Sequence, residues 1–205
     1  MQYFIGLTFH PHYLQFKKID SFRRRFDFKY NRSAILQMTL LPPFRLKTNK
    51  LSEINELFEV MEETLDGHLM DLDEASGIIF KSMEVSRGRT NVLYLKPEIS
   101  PDFIHCQESL LEDLSKCGVT FNQSKLIDPC NLKTFLPLGR ASLLDQIDIA
   151  VEAAHREFQL PLHLQVKHLC LFEKMPGQWI QKRKLYTFPS PKISQSWSDG
   201  DPLQI

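Results

Sequence analysis

This chain of 205 residues lacks an excess of either charge, since its 25 lysines and arginines are balanced by 25 aspartates and glutamates. A net charge of zero does not indicate a general nucleic-acid binder, so any basic surface has to be local. Long hydrophobic runs are missing too, since the apolar start at residues 1–9 is too short for a signal peptide or a membrane span. We therefore expect a cytoplasmic protein that has no membrane partner.

Cysteine, histidine and glycine are sparse and carry no familiar spacing. The four cysteines (Cys106, Cys117, Cys130 and Cys170) form no Cys-x-x-Cys pair, which predicts reduced and mostly buried thiols. The seven histidines show no metal-ligand spacing with one another or with carboxylates, so no metal is expected. The eight glycines form neither a phosphate-binding loop nor a nucleophile elbow. The sequence thus predicts no cofactor.

The first half of the chain alternates strands and helices and ends in a hairpin. An apolar strand is predicted at residues 3–9, and a helix with apolar residues at three- and four-residue spacing follows Pro11. A second strand begins at Ile35 and is expected to stop at the Pro42-Pro43 pair, because proline cannot donate to a ladder. An acidic helix and a hairpin complete this half, at residues 51–65 and 77–95.

The second half repeats this order of elements. Ser100-Pro101 predicts a helix start, and Gly118 is well placed to end that helix in the left-handed conformation. A strand, a helix and a hairpin follow, at residues 135–140, 147–158 and 162–188. Pro176-Gly177 in that hairpin fits a turn in which glycine takes a positive φ. Each half therefore reads strand, helix, strand, helix, strand, strand, which indicates two related lobes.

Two short apolar segments lie at corresponding places in the two halves. The first runs Ile35-Leu36-Gln37-Met38-Thr39-Leu40-Leu41-Pro42-Pro43-Phe44, and the second runs Thr134-Phe135-Leu136-Pro137-Leu138-Gly139-Arg140-Ala141. They resemble the paired His-x-Thr/Ser strands of the two-histidine phosphoesterases, the superfamily of RNA 2′,5′-ligase-like (LigT-like) proteins and cyclic nucleotide phosphodiesterases. In that family the first motif typically runs Pro-His-x-Thr-Leu and then Pro-Phe, and the second runs His-x-Thr-Leu-Gly-Arg. Taken singly, each segment is also typical of a core strand in another α+β domain.

The resemblance implies that the catalytic groups of the family have been lost. It places Gln37 and Phe135 at the two histidine positions, Thr39 at one hydroxyl position and Pro137 at the other. The family's histidines exchange protons near neutral pH, which neither an amide nor a phenyl ring can do. One positioned proton-transfer group is typically worth about 10²–10⁴ in rate, so most of the activity should be absent. No intact catalytic residue remains at these positions.

The fold implied by the resemblance is α+β and bilobal. Two pseudo-symmetric lobes, each with an antiparallel sheet and flanking helices, surround a central cleft into which Gln37 and Phe135 should both point. The resemblance covers residues 1–188 as a single domain whose lobes are interleaved in sequence. Residues 189–205, with their prolines, serines and glycine, predict an extended or disordered tail.

Two functions of different classes follow from these positions. In the first, the chain is catalytically inactive and its cleft binds a nucleotide, an RNA end or a protein partner through Gln37, Thr39, Phe135 and Arg140. In the second, it is an active RNA 2′,3′-cyclic phosphodiesterase or 2′,5′-phosphoesterase that uses non-standard cleft residues. No DNA-binding signature is present.

The affinity of the cleft should follow from the two replaced positions in the second lobe. Because Phe135 and Pro137 make the second lobe's side apolar while Gln37 and Thr39 keep the first side polar, inorganic phosphate should bind weakly. Nucleosides, nucleotides or an aromatic side chain of a partner should bind better.

Other histidines and basic residues are candidates for the rim of the cleft. His10 and His12 flank Pro11 and are interpreted as solvated loop residues, whereas one of His163 and His168 should face the concave side. Basic and aromatic residues of the two hairpins would supply phosphate contacts and stacking. They are Arg87, Arg89, Lys96, Lys182, Arg183, Lys184, Tyr94, Trp179 and Tyr186. An ordinary solvated hairpin face would show the same pattern.

Overall fold

The described part of the chain folds into strands and helices in alternation. A computed structural model of the protein describes residues 2–32, 35–46, 51–69, 77–116, 118–121 and 134–189. The strands of these ranges are β1 (Tyr3–Phe9), β2 (Gln37–Leu46), β3 (Gly77–Ser86), β4 (Asn91–Pro97), β5 (Val119–Phe121), β6 (Leu136–Ala141), β7 (Leu162–Met175) and β8 (Gln178–Thr187). The α-helices are α1 (Leu14–Phe26), α2 (Leu51–Leu69), α3 (Pro101–Lys116) and α4 (Leu144–Glu157).

The strands form antiparallel pairs in two halves that share β7. The order is β5-β2-β1-β7-β3-β4-β6, with β8 also paired to β7. Residues 162–165 of β7 pair with β3, and residues 166–173 pair with β1. Helices α2 and α3 contact the half that contains β2, β5 and β8, while α1 and α4 contact the half that contains β4 and β6. The expected α+β, two-lobed architecture is confirmed. The β7–β8 hairpin is the last element of the described chain, and it belongs to the same half as β1.

The prediction that Pro42-Pro43 ends the second strand is wrong. Strand β2 continues through both prolines to Leu46, with Leu41 opposite Ile5 and Phe44 opposite Tyr3 of β1. The two prolines thus face a single residue of β1, which is the count of a β-bulge, where a missing N–H donor is tolerated. On its other side β2 pairs with β5 from Phe44 to Leu46, so among the described residues the prolines interrupt no ladder there.

Three local cues of the sequence are confirmed. Ser100 caps α3, since its Oγ accepts a hydrogen bond from the backbone N–H of Phe103 at 3.1 Å. Gly118 follows that helix with φ of 82°, and Gly177 takes φ of 79° in the turn between β7 and β8. Each of these residues acts through backbone geometry over a few positions, which explains why the sequence alone predicts them.

The alternation of side chains along β1 separates the packed face of the sheet from the face that carries the cleft. Tyr3, Ile5 and Leu7 lie in the main hydrophobic core. Phe4 belongs instead to a small separate cluster with Cys170 and Phe172 of β7, on the opposite face. The sheet therefore buries apolar side chains on both faces, and the second, smaller cluster supports one side of the cleft.

A close approach of α1 to β6 fixes the relation between the end of that helix and the second motif. The backbone N–H of Phe28 donates to the carbonyl oxygen of Arg140 at 3.2 Å. Gly139 makes this approach possible, because a Cβ atom there would lie 3.0 Å from the carbonyl oxygen of Phe26. The Leu-Gly-Arg part of the second motif thus has a packing role of its own.

Several predictions concern residues that the structure describes only in part. Cys170 is buried and forms no disulfide, as expected. The side chains of Cys106, Cys117 and Cys130 and the tail from residue 190 to 205 lie outside the described residues. No helix in the described part of the chain is both long and apolar enough to cross a membrane.

We expect the change Gly139→Ala to destabilise the fold by about 1–3 kcal/mol, because the added methyl group is forced against the backbone of α1. Urea unfolding followed by circular dichroism measures this loss. Gly88→Ala is the matched control, since a Cβ atom there has no neighbour within 4 Å. Equal stability of the two variants would show that the close approach at Gly139 is not a constraint.

Candidate ligand-binding cleft

A cleft of about 190 Å³ lies between β2 and β6. The structure brings all five motif positions to its lining, namely Gln37, Thr39, Phe135, Pro137 and Arg140. The lining is completed by Phe4, Arg23, Ile35, Pro43 and Trp179. A cavity of roughly 150 Å³ holds one benzene ring, whereas drug-sized ligands need about 300–1,000 Å³. The cleft therefore encloses about one ring or one phosphate group, and a larger ligand would contact the remaining lining residues from the mouth of the cleft.

Strand β2 presents Gln37 and Thr39 to the cleft because they alternate with buried core residues. Met38 and Leu40 point into the core, so Gln37 and Thr39, which alternate with them along the strand, face the opposite side. Both polar side chains are half-buried, and neither forms a hydrogen bond to another side chain or backbone group of the described residues. The amide of Gln37 and the hydroxyl of Thr39 are thus available to a ligand.

A buried glutamine holds the two motif strands together from behind. Gln107 of α3 donates its side-chain amide to the carbonyl oxygen of Leu40 in β2 and to Oγ1 of Thr134, 3.4 Å away. Both Gln107 and Thr134 are buried, so these bonds are protected from water. Since Thr134 directly precedes Phe135, this contact fixes where the second motif begins relative to the first.

Two arginines and one carboxylate form a cationic group at the cleft. Nη1 of Arg140 donates to Oδ2 of Asp27 at 2.7 Å, and Nη2 of Arg23 lies 3.7 Å from the same oxygen. The side chain of Asp27 is fully buried, that of Arg23 is 1% exposed and that of Arg140 is 18% exposed. Burial lowers the pKa of Arg23, with Asp27 opposing the shift, yet a guanidinium stays protonated in proteins. The group therefore carries one net positive charge beside the cleft.

Arg23 is the cleft residue that the motifs did not reveal. It lies on the inner face of α1 beside the buried Ile19 and Phe22, and its guanidinium carbon lies 5.6 Å from the ring centre of Tyr30. Its partner Asp27 follows four residues later, which is one helical turn. An arginine on the apolar face of a helix, followed by an acid one turn later, can indicate a buried ion pair. Here Arg23 is one of three consecutive arginines, Arg23-Arg24-Arg25, so the sequence does not distinguish it from the exposed ones.

Aromatic side chains make up much of the remaining lining. Phe4 stacks on Phe172 with ring centres 4.6 Å apart, and the ring of Trp179 meets Phe4 edge-on at 4.8 Å. Phe135 packs against Tyr94 at 4.7 Å. These contacts fix the rings before any ligand arrives, so a flat ligand would lose little freedom by stacking on them.

The distribution of polar and apolar groups does not follow the lobes as the sequence suggested. The half that holds β2 contributes the polar Gln37 and Thr39 but also Phe4 and Trp179. The half that holds β6 contributes Phe135 and Pro137 but also Arg140. Each half therefore offers both kinds of contact, because the β7–β8 hairpin places its aromatic residues beside β1.

The described residues that line the cleft are of types that do not exchange protons near neutral pH. These ten residues include two arginines but no histidine, cysteine or carboxylate. Nor do three His, Cys, Asp or Glu side chains come together as a metal site in the described part of the chain. The described lining can therefore bind and orient a ligand, but it includes no group suited to general acid–base catalysis at neutral pH.

The other histidines lie outside the cleft lining. His163 is exposed, and His168 is half-buried with its Nδ1 3.0 Å from the hydroxyl of Thr187. His105 and His155 are exposed on helices α3 and α4. His10 differs from the expected solvated loop residue, because its Nε2 is buried and has no hydrogen-bond partner.

Most of the predicted basic rim is paired with carboxylates. Each of four basic side chains lies within 3.1 Å of an acid: Arg87 of Asp148, Lys96 of Glu84, Lys182 of Glu173, and Arg183 of Glu62. These pairs favour the interpretation of ordinary hairpin surfaces over a continuous basic rim. Tyr186 packs against the main core, so of the three aromatic candidates Trp179 lines the cleft and Tyr94 supports it through Phe135.

Comparisons with known proteins give a structural likeness but no match in sequence. No family model matches the sequence, and no curated protein matches it. The solved structure of Usb1 from Kluyveromyces marxianus is similar to this chain, with 12% sequence identity and a TM-score of 0.44. The match covers 88% of this chain and 96% of that one. At such identity and score, the function has to be inferred from the side chains of the cleft itself.

We expect Asp27→Asn to lower the free energy of unfolding by about 3–5 kcal/mol, because it removes the buried carboxylate that forms ion pairs with Arg23 and Arg140. The matched control is Asp148→Asn, which breaks an exposed pair with Arg87 and should cost less than about 1 kcal/mol. Urea unfolding at neutral pH measures both. Similar losses in the two variants would mean that the buried charge group does not stabilise the junction of α1 and β6.

Proposed function

We propose that this chain is a non-catalytic relative of the two-histidine phosphoesterases whose cleft binds a nucleotide or the end of an RNA chain. The observation that supports this best is the composition of the lining. It combines hydrogen-bonding and cationic groups with pre-positioned aromatic rings, and its described residues include no group that exchanges protons near neutral pH. Such a surface suits a ligand that has an anionic part and a flat part.

The anionic part of the ligand would be held by Thr39, Gln37 and Arg140. The hydroxyl and the amide are not engaged by other described side chains, and Arg140 is partly exposed although it donates to Asp27. Asp27 offsets one of the two guanidinium charges, so the attraction for an isolated phosphate ion is modest. This agrees with the expectation that inorganic phosphate binds weakly.

The flat part of the ligand would stack on the aromatic rings. Phe135 is held by Tyr94, and Phe4 is held between Phe172 and Trp179. Stacking of a base on an aromatic side chain is worth about 1–3 kcal/mol, and it tolerates different bases. A nucleobase therefore gives more binding energy here than the phosphate, and an aromatic side chain of a protein partner would compete for the same rings.

We expect Phe135→Ala to weaken binding of a nucleoside and of its 3′-monophosphate by the same factor, roughly five- to a hundredfold. Thr39→Val should weaken only the monophosphate, by about two- to tenfold, because it removes one hydrogen bond to the anion. Calorimetric titration of the two ligands and of inorganic phosphate measures these affinities.

Phe28→Ala is the control for the loss of an aromatic ring, since Phe28 is exposed and does not line the cleft. Tight binding of inorganic phosphate that Thr39→Val removes and Phe135→Ala leaves unchanged would contradict the proposed division of roles. Binding of neither nucleoside nor nucleotide would contradict nucleotide recognition and leave a protein as the partner.

We expect the unmodified protein not to turn over 2′,3′-cyclic nucleotides, and Gln37→His alone not to restore turnover, since the acid and the base are both missing. The double change Gln37→His with Phe135→His, together with Pro137→Thr, is the minimal repair. Product formation measured by chromatography compares the three proteins.

An active enzyme with non-standard residues is the competing function. Turnover by the unmodified protein that survives Gln37→Ala and Thr39→Ala would place the chemistry outside the motif positions. In that case His10→Ala and His168→Ala would test the two histidines whose pKa is lowered, chiefly by burial.

A further inference from the structure

The face of the sheet that carries Gln37 continues away from the cleft across three more strands. Gln37 pairs with Thr8 of β1, Thr8 pairs with His168 of β7, and His168 pairs with Thr187 of β8. Directly paired residues of antiparallel strands point to the same face. Gln37 and His168 are two strand spacings apart, or about 10 Å. The polar row that begins in the cleft thus extends well beyond it.

An irregularity in β7 brings a lysine to this row. Thr8 faces His168 but the next residue, Phe9, faces Val166, so Lys167 is an extra residue in β7. Val166 and Leu169 both lie in the core, whereas Lys167 and His168 between them are half-exposed on the face that carries the cleft. Lys184 of β8 is exposed opposite Cys170, beside the same row.

The charges around His168 are positive. The pKa of His168 is lowered by burial and then by Lys184, Lys167 and His10, while the pKa of His10 is lowered by burial and then by Lys167 and His12. Neither Lys167 nor Lys184 forms an ion pair with a described residue. By contrast, Lys182 and Arg183 on the same hairpin are each paired with a carboxylate.

We propose that His10, Lys167, His168 and Lys184 form a second phosphate-binding site, which takes a backbone phosphate of an oligonucleotide whose end occupies the cleft. The inference rests on the proposed function, and it specifies an oligonucleotide rather than a mononucleotide as the ligand. Four positively charged or protonatable groups lie together with no carboxylate partner among the described residues, and the buried Nε2 of His10 has no hydrogen-bond partner there. A bound phosphate would supply the missing counter-charge and an acceptor.

The size of the cleft separates the two classes of ligand. A single nucleotide fills the cleft and lies about two strand spacings from His168, so it leaves the second site empty. A longer chain leaves the cleft and crosses Thr8 toward Lys167 and Lys184. Binding of the two ligands should therefore respond differently to loss of the lysines.

The test compares a nucleoside 3′-monophosphate with a short single-stranded oligoribonucleotide. Trp179 lines the cleft and reports occupancy by fluorescence, in a Trp197→Phe background that removes the other tryptophan of the sequence. The test variant is Lys167→Gln with Lys184→Gln. The control variant is Lys81→Gln with Lys116→Gln, which changes the net charge equally at two exposed lysines that are paired with carboxylates.

The test variant should bind the oligonucleotide about three- to tenfold more weakly at low salt and the mononucleotide unchanged. The slope of log affinity against log salt for the oligonucleotide should fall by about 0.7, the value for one lost phosphate contact on a single strand. The control variant should bind both ligands as the unmodified protein does.

Three results would overturn the second site. One is an oligonucleotide that binds no better than the mononucleotide, and another is equal weakening in the test and control variants. The third is inorganic polyphosphate that binds through the two lysines as tightly as the oligonucleotide and is unaffected by Phe135→Ala, because the patch would then act apart from the cleft. Failure of the mononucleotide to bind would instead overturn the proposed function, and the second site with it.

The pH dependence gives an independent readout. Both histidines have a lowered pKa in the free protein, so they are mainly neutral near pH 7, and a bound phosphate favours their charged forms. The groups that act on them are His12, Lys167 and Lys184, together with each other. Oligonucleotide affinity should rise as the pH falls from about 7.5 to about 5.5, and His10→Gln with His168→Gln should remove most of that rise. An affinity that falls over this range in the unmodified protein would contradict a role for the histidines.

Discussion

The buried carboxylate of Asp27 is the contact on which the geometry of the cleft depends. It accepts a hydrogen bond from Arg140 of β6 and offsets the charge of the buried Arg23, and Asp27 itself directly follows the last residue of α1. A buried charge of this kind is strongly destabilising when its partner is lost, so α1 and β6 have to stay together. Since Phe135 directly precedes β6 and Pro137 lies in it, the same contact determines where this aromatic part of the cleft lies. Stability and binding surface are therefore coupled at one residue.

Much of the fold was predictable because its cues are local. Ser100, Gly118 and Gly177 act through their own backbone or the next turn, and apolar spacing identified the helices. The path of β2 through Pro42 and Pro43 was not predictable, since it depends on a bulge opposite β1 and on which residues of β2 pair with β5. These are properties of strand pairing between segments distant in sequence, and a local rule about proline cannot anticipate them.

The candidate site was predictable mainly where a motif marked it. The five motif positions do line one cleft, and Trp179 was expected as a stacking residue of a hairpin, but Arg23 and Phe4 reach the cleft from elements outside the motifs. The basic hairpin residues could not be told apart from the sequence, because Lys182, Arg183 and Lys184 are three adjacent basic residues. Only the positions of Glu173 and Glu62 in the fold reveal that the first two are neutralised.

Strand β7 has a mechanical consequence for the way this protein can receive a ligand. Its first residues pair with β3 and its later ones with β1 and β8, without a break between the two halves. Separating the two halves would require hydrogen bonds between β7 and its neighbouring strands to break. Domains that are joined by a flexible hinge can separate without such a loss. The width of the opening between β2 and β6 is therefore fixed. A ligand is accepted by its dimensions on arrival, and no slow closing step is needed to hold it.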